Sequence, residues 1–284
     1  MKEIKRLTLL TNPDKCNWHC PLCFLNQRQE PFFANEMDFS VAKFYIEKYE
    51  KTLLEVIPST MGEPLLYTHF DALLLLLSEK KIKMNLTTNG SFPFYSDKKM
   101  KLLLESASDI KISVMGFSEN AFKTFSHGFS FATWKKNLQK LASLKRNLPK
   151  TNTGNLSLQV TLHKKNIPEI QNILNFAKEN DFSRIKWNKP VFLFEASKEL
   201  KEIYSVSGET FSVVKDLILK ESSSLNIKAE GNLFFNKTKI KECPFQNELW
   251  ILPNGKEEFC PNPERRFGNT RHRNASCKNC ILFQ

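Results

Sequence analysis

All seven cysteines of the 284-residue chain fall into two clusters, one near each end. The first cluster, Cys16, Cys20 and Cys23, lies in the stretch DKCNWHCPLCFL. The second cluster consists of Cys243, Cys260, Cys277 and Cys280. Cysteines that serve only as small core residues would be scattered, so the clustering predicts thiolate ligands for zinc, copper(I) or an iron-sulfur centre.

Three cysteines are one too few for a structural zinc site or for a cubane held entirely by protein. His19 is a candidate fourth ligand for zinc, but it directly precedes Cys20, and adjacent side chains seldom converge on one ion. A disulfide is disfavoured in a reducing compartment. A further interpretation, beside zinc, is a four-iron cluster with one iron left open for a ligand that is not protein.

The composition indicates in which compartment the protein is found and which classes of partner it binds. No export signal opens the chain, and the longest apolar run, at 72–78, is shorter than the roughly 18 to 20 residues of a membrane span, so we expect a cytoplasmic protein without a membrane partner. The formal charge of +12 is spread over many lysines, without a dense basic tract or a known motif for nucleic acid. The charge therefore favours an anionic substrate or an acidic redox partner over nucleic acid.

The elements that must position the first cluster alternate between strand and helix. Hydrophobic periodicity predicts strands over 4–10, 54–60, 82–90, 109–116, 155–163 and 184–191. It predicts helices over 38–54, 67–81, 96–107, 131–147, 167–181 and 208–223. Two further β-like runs are expected at 225–231 and 232–237, and a β-hairpin over 248–260 that turns at Asn254-Gly255.

Alternation of this kind predicts parallel strands with right-handed crossovers, in an open doubly wound sheet or in a complete or partial barrel. The loop after the first strand carries the three cysteines, and no glycine-rich nucleotide-binding motif follows that strand. Chemistry in parallel β/α folds gathers at the carboxyl ends of the strands. We therefore expect the first cluster to lie at that edge of the sheet.

The motifs at these strand ends resemble those of the radical S-adenosylmethionine superfamily. CNWHCPLC has the C-x3-C-x2-C spacing, with Asn17 after the first cysteine and Pro21 after the second. STMGEPLL is similar to the GGEP motif, with Met61 in place of the first glycine, and LTTNG is similar to TNG. ISVMGFSENAF resembles SIDG, with Met115 replacing the aspartate. Gly62-Glu63-Pro64 alone also fits a simple turn, and Thr88-Asn89-Gly90 alone is a common loop signal, so the joint order of the motifs carries the resemblance.

The resemblance implies that Cys16, Cys20 and Cys23 hold a [4Fe-4S] cluster whose open iron binds S-adenosylmethionine. An electron from a flavodoxin or ferredoxin then cleaves a carbon-sulfur bond to give a 5'-deoxyadenosyl radical.

The resemblance also implies the residues that bind S-adenosylmethionine. Glu63 takes the amino group, while Gly62 and Pro64 shape the strand end. Asn89 lies close to the cofactor and Ser113 contacts the ribose. The implied fold class is α/β, a partial (β/α)6 TIM-like barrel with a small C-terminal iron-sulfur domain made of a β-hairpin and a helix.

The second cluster has its own resemblance. Its C-x11-G-x4-C spacing through Gly255, followed by FGNT and CKNC, is similar to the Twitch or SPASM extension of the same superfamily. This implies an auxiliary [4Fe-4S] cluster held by Cys243, Cys260, Cys277 and Cys280. Zinc is the alternative occupant. We expect a radical core over 1–205 and an auxiliary domain over 206–284.

The predicted function is abstraction of hydrogen from a small polar substrate, a sugar or a cyclitol or a phosphorylated molecule like them, with net oxidation. The chain begins three residues before its first predicted strand, so we expect no N-terminal peptide-recognition domain. A peptide-modifying radical enzyme that crosslinks or matures a peptide is the first alternative. A non-catalytic iron-sulfur or zinc protein is the second.

Overall fold

The computed structural model describes eight stretches of the chain. The described residues are 3–23, 25–27, 35–59, 61–92, 95–149, 153–192, 196–234 and 245–258. The strands within them are β1 Arg6–Leu9, β2 Glu55–Pro58, β3 Lys83–Thr88, β4 Ala107–Val114, β5 Asn155–Thr161, β6 Arg184–Asn188, β7 Lys228–Glu230, β8 Glu248–Ile251 and β9 Glu257–Glu258. The helices are α1 Phe39–Tyr49, α2 Phe70–Glu79, α3 Asp97–Ser106, α4 Glu119–Lys123, α5 Phe131–Arg146, α6 Ile170–Glu179, α7 Lys198–Tyr204 and α8 Gly208–Ser224.

The strands form an open and mostly parallel sheet in the order β7-β6-β5-β4-β3-β2-β1-β8-β9. The pairs from β1 to β2, β4 to β5, β5 to β6 and β6 to β7 are parallel, as the β/α alternation predicts. Strand β8 also pairs in parallel with β1, and β9 returns antiparallel to β8. The α/β class and the partial TIM-like barrel are confirmed, since the sheet does not close.

The chain divides into two compact units of discontinuous sequence. The first takes its described residues from within 3–15, 35–85 and 245–258, and the second from within 16–27 and 86–234. Strand β3 continues from the first unit into the second after residue 85. The predicted boundary between a core over 1–205 and an auxiliary domain over 206–284 stays a prediction.

Alternating burial explains how the sheet of the second unit is built. One face of β4 carries Ile110, Ile112 and Val114, all almost fully buried. Ile112 packs toward helix α5, because both Ile112 and Leu138 lie next to Gly90. The other face is polar and largely half-buried; along β4, β5 and β6 it carries Asp109, Lys111, Ser113, Ser157, Gln159, Thr161, Arg184, Lys186 and Asn188.

Side-chain caps start the helices where the sequence offers a short polar residue. Asp38 Oδ1 accepts the Ser40 N–H at 2.7 Å, which begins α1. Ser118 caps α4, a helix that periodicity did not predict because it is only five residues long. In the described part of the chain, no helix has the length and apolar character that crossing a membrane requires.

The β-like run expected at 232–237 is wrong at its start, where Asn232–Phe234 forms a 3-10 turn. Gly231 adopts a φ of +112° against the backbone of Trp187, so the chain turns at the end of β7. Asn232 then fixes the turn, because its N–H donates to Asn188 Oδ1 and its own Oδ1 accepts the Lys189 N–H. The predicted hairpin is present as β8 and β9, with Gly255 at φ +80° between them.

Candidate functional site

The three cysteines of the first cluster lie in the loop between β1 and α1, which is held by short-range hydrogen bonds. The Cys23 N–H donates to Cys20 O at 2.9 Å, and the Asn26 N–H donates to Cys23 O at 2.9 Å. The Asn26 side chain donates to Cys20 O, also at 2.9 Å. Cys16 is exposed, whereas Cys20 and Cys23 are half-buried. Hydrogen bonds within the loop therefore hold the backbone that carries the three cysteines in a folded conformation.

Aromatic packing anchors this loop within the second unit. The buried indole of Trp18 meets the ring of Phe122 edge-on at 5.1 Å and the ring of Phe125 at 5.9 Å. The His19 N–H donates to Phe125 O at 2.9 Å. Phe122 belongs to α4, so the helix that sequence periodicity missed is the one that supports the cysteines.

Burial and mutual repulsion act on the thiols. Burial raises the pKa of Cys20 well above its ordinary value, and the neighbouring Cys23 and Cys16 raise it further. Burial also raises the pKa of Cys23, against the opposing effect of the Leu25 and Asn26 N–H groups. The pKa of Cys20 thus responds to both neighbouring thiols, whereas the pKa of Cys23 is raised by burial alone.

Among the described residues, no three His, Cys, Asp or Glu side chains are gathered so that they could hold a single metal ion. His19, the candidate fourth ligand for zinc, is exposed and packs against His127 with ring centroids 5.4 Å apart. An iron-sulfur cluster places less demand on convergence than a single ion does, because each cysteine binds a different iron. The donor set of three thiols therefore fits a cluster better than it fits zinc.

Asn89 comes directly after β3, and the structure brings it to the first cluster. Its Nδ2 lies 3.9 Å from Cys16 Sγ and 2.7 Å from Asn17 Oδ1. The backbone carbonyl of Asn89 accepts the Trp134 indole N–H at 2.8 Å. Asn17 and Trp134 thus both bond to Asn89, contacts that the sequence did not predict; the position of Asn17 beside Cys16 was the available signal.

Ser113, the predicted ribose contact, lies near the carboxyl end of β4 on the polar face of the sheet. It is in register with Gln159 of β5, which is in register with Lys186 of β6. These three polar side chains therefore form a row across β4, β5 and β6, and the row begins at the residue predicted to contact the ribose.

Gly62, Glu63 and Pro64 belong to the first unit and form a tight turn after β2. Gly62 has a φ of +79°, and a Cβ there would lie 2.5 Å from Asn12 O and 2.6 Å from Lys15 O, so only glycine fits. The Glu63 N–H donates to Lys15 O at 2.8 Å, directly before the first cysteine in sequence.

Glu63 is buried, and its Oε1 accepts the Leu65 N–H at 3.1 Å, while Pro64 begins a 3-10 turn. This capping bond fixes the glutamate side chain. The four C-terminal cysteines, Cys243, Cys260, Cys277 and Cys280, lie outside the described residues.

His163, after β5, was not singled out by its sequence. It is 3% exposed, and its Nε2 donates to Met115 O at 2.7 Å, while Nδ1 has no hydrogen-bond partner among the described residues. Burial lowers the pKa of this imidazole to about 4. Tyr204 packs edge-on against the ring at a centroid distance of 5.1 Å.

Comparison with known proteins adds the following. The model of the Radical SAM superfamily matches residues 13–177, more than half of the chain. No curated protein matches the chain in sequence. Streptococcus suis SuiB bound to S-adenosylmethionine is similar in structure, with a TM-score of 0.68 at 15% identity over 92% of this chain and 61% of SuiB. The protein anSMEcpe with bound AdoMet has a TM-score of 0.69 at 14% identity over 90% of this chain and 71% of its own.

SuiB bound to its precursor peptide SuiA gives the same TM-score of 0.68 at 15% identity, over 95% of this chain and 62% of SuiB. The chain thus spans a little over three fifths of the length of the SuiB structures. At such identities the likeness shows a shared fold.

Proposed function

The chain belongs to the radical S-adenosylmethionine superfamily, and from this premise we propose that Cys16, Cys20 and Cys23 hold the [4Fe-4S] cluster at which S-adenosylmethionine is cleaved. The observation that carries the proposal is the folded loop of three interacting thiols after β1. With three cysteines as its donor set, the loop would hold three irons of such a cluster and would leave the fourth for the cofactor. When bound and reduced, the cluster and S-adenosylmethionine supply a 5'-deoxyadenosyl radical.

The protein's own residues orient the cofactor in this proposal. Glu63 accepts hydrogen bonds from the methionine amino group, and its capping bond to Leu65 supports this role because it holds the side chain in one position. Gly62 and Pro64 give the turn its shape. Asn89 acts beside the first cysteine, and Ser113 contacts the ribose.

We further propose that the substrate is a small polar molecule and that the net reaction is an oxidation. The polar face of the sheet in the second unit supports this, because it carries lysine, glutamine and serine side chains in register at Lys186, Gln159 and Ser113. The net charge of +12 supports an anionic or phosphorylated substrate.

A peptide substrate is the second candidate, and two structures of similar fold favour it. SuiB was solved with the precursor peptide SuiA, and anSMEcpe was solved with the Cp18Cys peptide. In this case the substrate radical would form a new bond or lose an electron on a peptide side chain.

An auxiliary [4Fe-4S] cluster at Cys243, Cys260, Cys277 and Cys280 completes the proposal, as part of a domain over 206–284. It would accept the second electron of an oxidation, while a flavodoxin or ferredoxin supplies the electron for cofactor cleavage. Zinc at these four cysteines would support the fold without accepting electrons.

Anaerobic reconstitution tests both sites. We expect about eight iron and eight sulfide ions per chain, and 5'-deoxyadenosine on addition of dithionite and S-adenosylmethionine. The variant with Cys277→Ala and Cys280→Ala should bind about four fewer iron ions and still release 5'-deoxyadenosine. Formation of 5'-deoxyadenosine by Cys16→Ala would contradict the assignment of the first cluster, and unchanged iron in the double variant would contradict the second.

The two substrate classes separate in a trapping experiment. Extract from cells grown in deuterated medium is divided into a small-molecule and a peptide fraction, and each is incubated with the reconstituted enzyme. Deuterium in 5'-deoxyadenosine only with the small-molecule fraction supports the first candidate. Deuterium only with the peptide fraction supports the second and overturns the first.

A further inference from the structure

A network of neutral side chains ends at the sulfur of Cys16. Asn89 Nδ2 donates to Asn17 Oδ1 at 2.7 Å and to Cys16 Sγ at 3.9 Å. Asn17 Nδ2 in turn donates to Ser91 Oγ at 3.1 Å. The Trp18 N–H also donates to Cys16 Sγ, at 3.4 Å. The Cys16 sulfur therefore accepts from two N–H groups, one on the Asn89 side chain and one on the Trp18 backbone.

The orientation of the Asn89 amide follows from its partners. The Ser91 backbone N–H, which can only donate, approaches Asn89 Oδ1 at 2.9 Å. The oxygen of the amide must therefore face Ser91, and the nitrogen must face Asn17 and Cys16. A flipped amide would place two donors against each other and an oxygen against the sulfur. Asn89 is 5% exposed, so water cannot replace these bonds at low cost.

Helix α5 holds the turn that carries this amide. Trp134 Nε1 donates to Asn89 O at 2.8 Å, and Asn137 Nδ2 donates to Ser91 O at 2.9 Å. Between them, Gly90 has a φ of +78°, and a Cβ there would lie 2.9 Å from Trp134 Nε1. These two hydrogen bonds and the tight space around Gly90 fix the turn, and in this arrangement the Asn89 side chain points toward the cysteine loop.

N–H donors to the sulfurs of an iron-sulfur cluster stabilise its more negative, reduced form and so raise its reduction potential. We propose that Asn89 is such a donor to the Cys16 thiolate, and that Asn17 and Ser91 are positioning residues that aim its amide. This rests on the proposed cluster at Cys16, Cys20 and Cys23. Unlike a backbone N–H, this donor can be deleted by substitution.

The test is a redox titration of the reconstituted full-length protein without S-adenosylmethionine, followed by electron paramagnetic resonance. Iron bound at the first cluster is quantified before each titration. At a fixed solution potential, Asn89→Leu should lower the ratio of reduced to oxidised first cluster about tenfold, equivalent to about 59 mV for one electron. Asn17→Ala should lower it in the same direction by a smaller factor, about threefold, because the Asn89 donor is retained but no longer aimed.

Asn180→Leu is the matched control. Asn180 is a buried asparagine at the end of α6 whose Nδ2 donates to Phe176 O at 2.9 Å, so the potential should stay as in the wild type. A wild-type potential in iron-loaded Asn89→Leu overturns the proposal and leaves the proposed function intact. If Asn89→Leu binds no iron, the potential of Asn17→Ala is used in its place. A lowered potential then supports the proposal, and a wild-type potential overturns it. A wild-type protein without iron at the first cluster overturns both, and the iron measurement identifies that case first.

Discussion

The second unit contains two polar networks at opposite ends of its parallel strands, and they differ in chemistry. Near the amino ends, Arg184 of β6 binds Asp109 of β4 at 2.5 Å and Glu230 at 3.2 Å, and Ser157 Oγ donates to Asp109 at 2.7 Å. After the carboxyl end of β3, Asn89 instead joins neutral amides to a thiol. The first network pairs full charges, and the second aims N–H dipoles at sulfur.

We interpret this difference as a division of tasks between the two ends of the strands. A buried carboxylate and its guanidinium satisfy each other, so their network stabilises the strands and leaves little capacity to bind a ligand. Thiols and amides carry no full charge to be paired within the protein, so they remain available to a cofactor. This is the division of stability and chemistry that parallel β/α folds show between the two ends of their strands.

Breaking the network after the carboxyl end of β3 should have the largest effect of all on activity. Cys16→Ala should abolish 5'-deoxyadenosine formation, because the first cluster loses one of its three ligands. The free energy of unfolding of the metal-free protein should hardly change, since the Cys16 side chain is exposed. Urea denaturation of the metal-free protein checks this. A metal-free variant that is strongly destabilised would contradict the division of tasks.

Breaking the network near the amino ends of the strands should lower the stability of the protein and leave its chemistry intact. Asp109→Ala leaves Arg184 without its closest partner in a mostly buried place and should lower the free energy of unfolding by about 4 kcal/mol. The folded fraction should keep its iron and its 5'-deoxyadenosine formation. Lys140→Ala, which breaks an exposed pair with Asp97, is the control and should cost within about 0.5 kcal/mol. Equal losses in the two variants would contradict a structural role for the Asp109 network.

His163, a neutral group near the carboxyl ends of the strands, should make the stability of the protein depend on pH. Burial holds the pKa of His163 at about 4, whereas the unfolded chain binds this proton near pH 6.5. Unfolding therefore takes up a proton between these values, and the free energy of unfolding should fall by up to about 3 kcal/mol as the pH falls from about 6.5 to about 4.

His163→Gln should remove this part of the pH dependence, because glutamine keeps an N–H for Met115 O and does not titrate. Urea denaturation at several pH values measures it. Tyr204→Phe retains the ring that packs on His163 and should keep the wild-type dependence. A variant His163→Gln with the wild-type dependence would show that His163 is not the group responsible.

The sequence predicted the parts of this molecule that depend on local patterns. Six parallel β/α repeats follow from hydrophobic periodicity, and the motifs at Cys16, Gly62 and Asn89 fall at strand ends because each motif is short and contiguous. The turn at Gly62 shows why glycine is needed there: the backbone of Asn12 and Lys15 leaves no room for a side chain.

What the sequence did not predict depends on contacts between distant segments. The parallel pairing of β8 with β1 joins residues about 240 positions apart, and no local pattern encodes it. The bond from Asn89 to Asn17 joins two loops, and short α4 lacks the length for a periodic signal. The row of Ser113, Gln159 and Lys186 needs strand register, which periodicity leaves open.

We propose above that the first cysteine cluster presents an open iron to S-adenosylmethionine. The most direct measurement is the electron paramagnetic resonance spectrum of the reduced, reconstituted protein before and after S-adenosylmethionine is added. We predict that the cofactor changes the signal in the wild type and has no effect in Cys16→Ala. A wild-type spectrum that stays the same, with iron bound at Cys16, Cys20 and Cys23, would contradict the assignment of an open iron to this cluster.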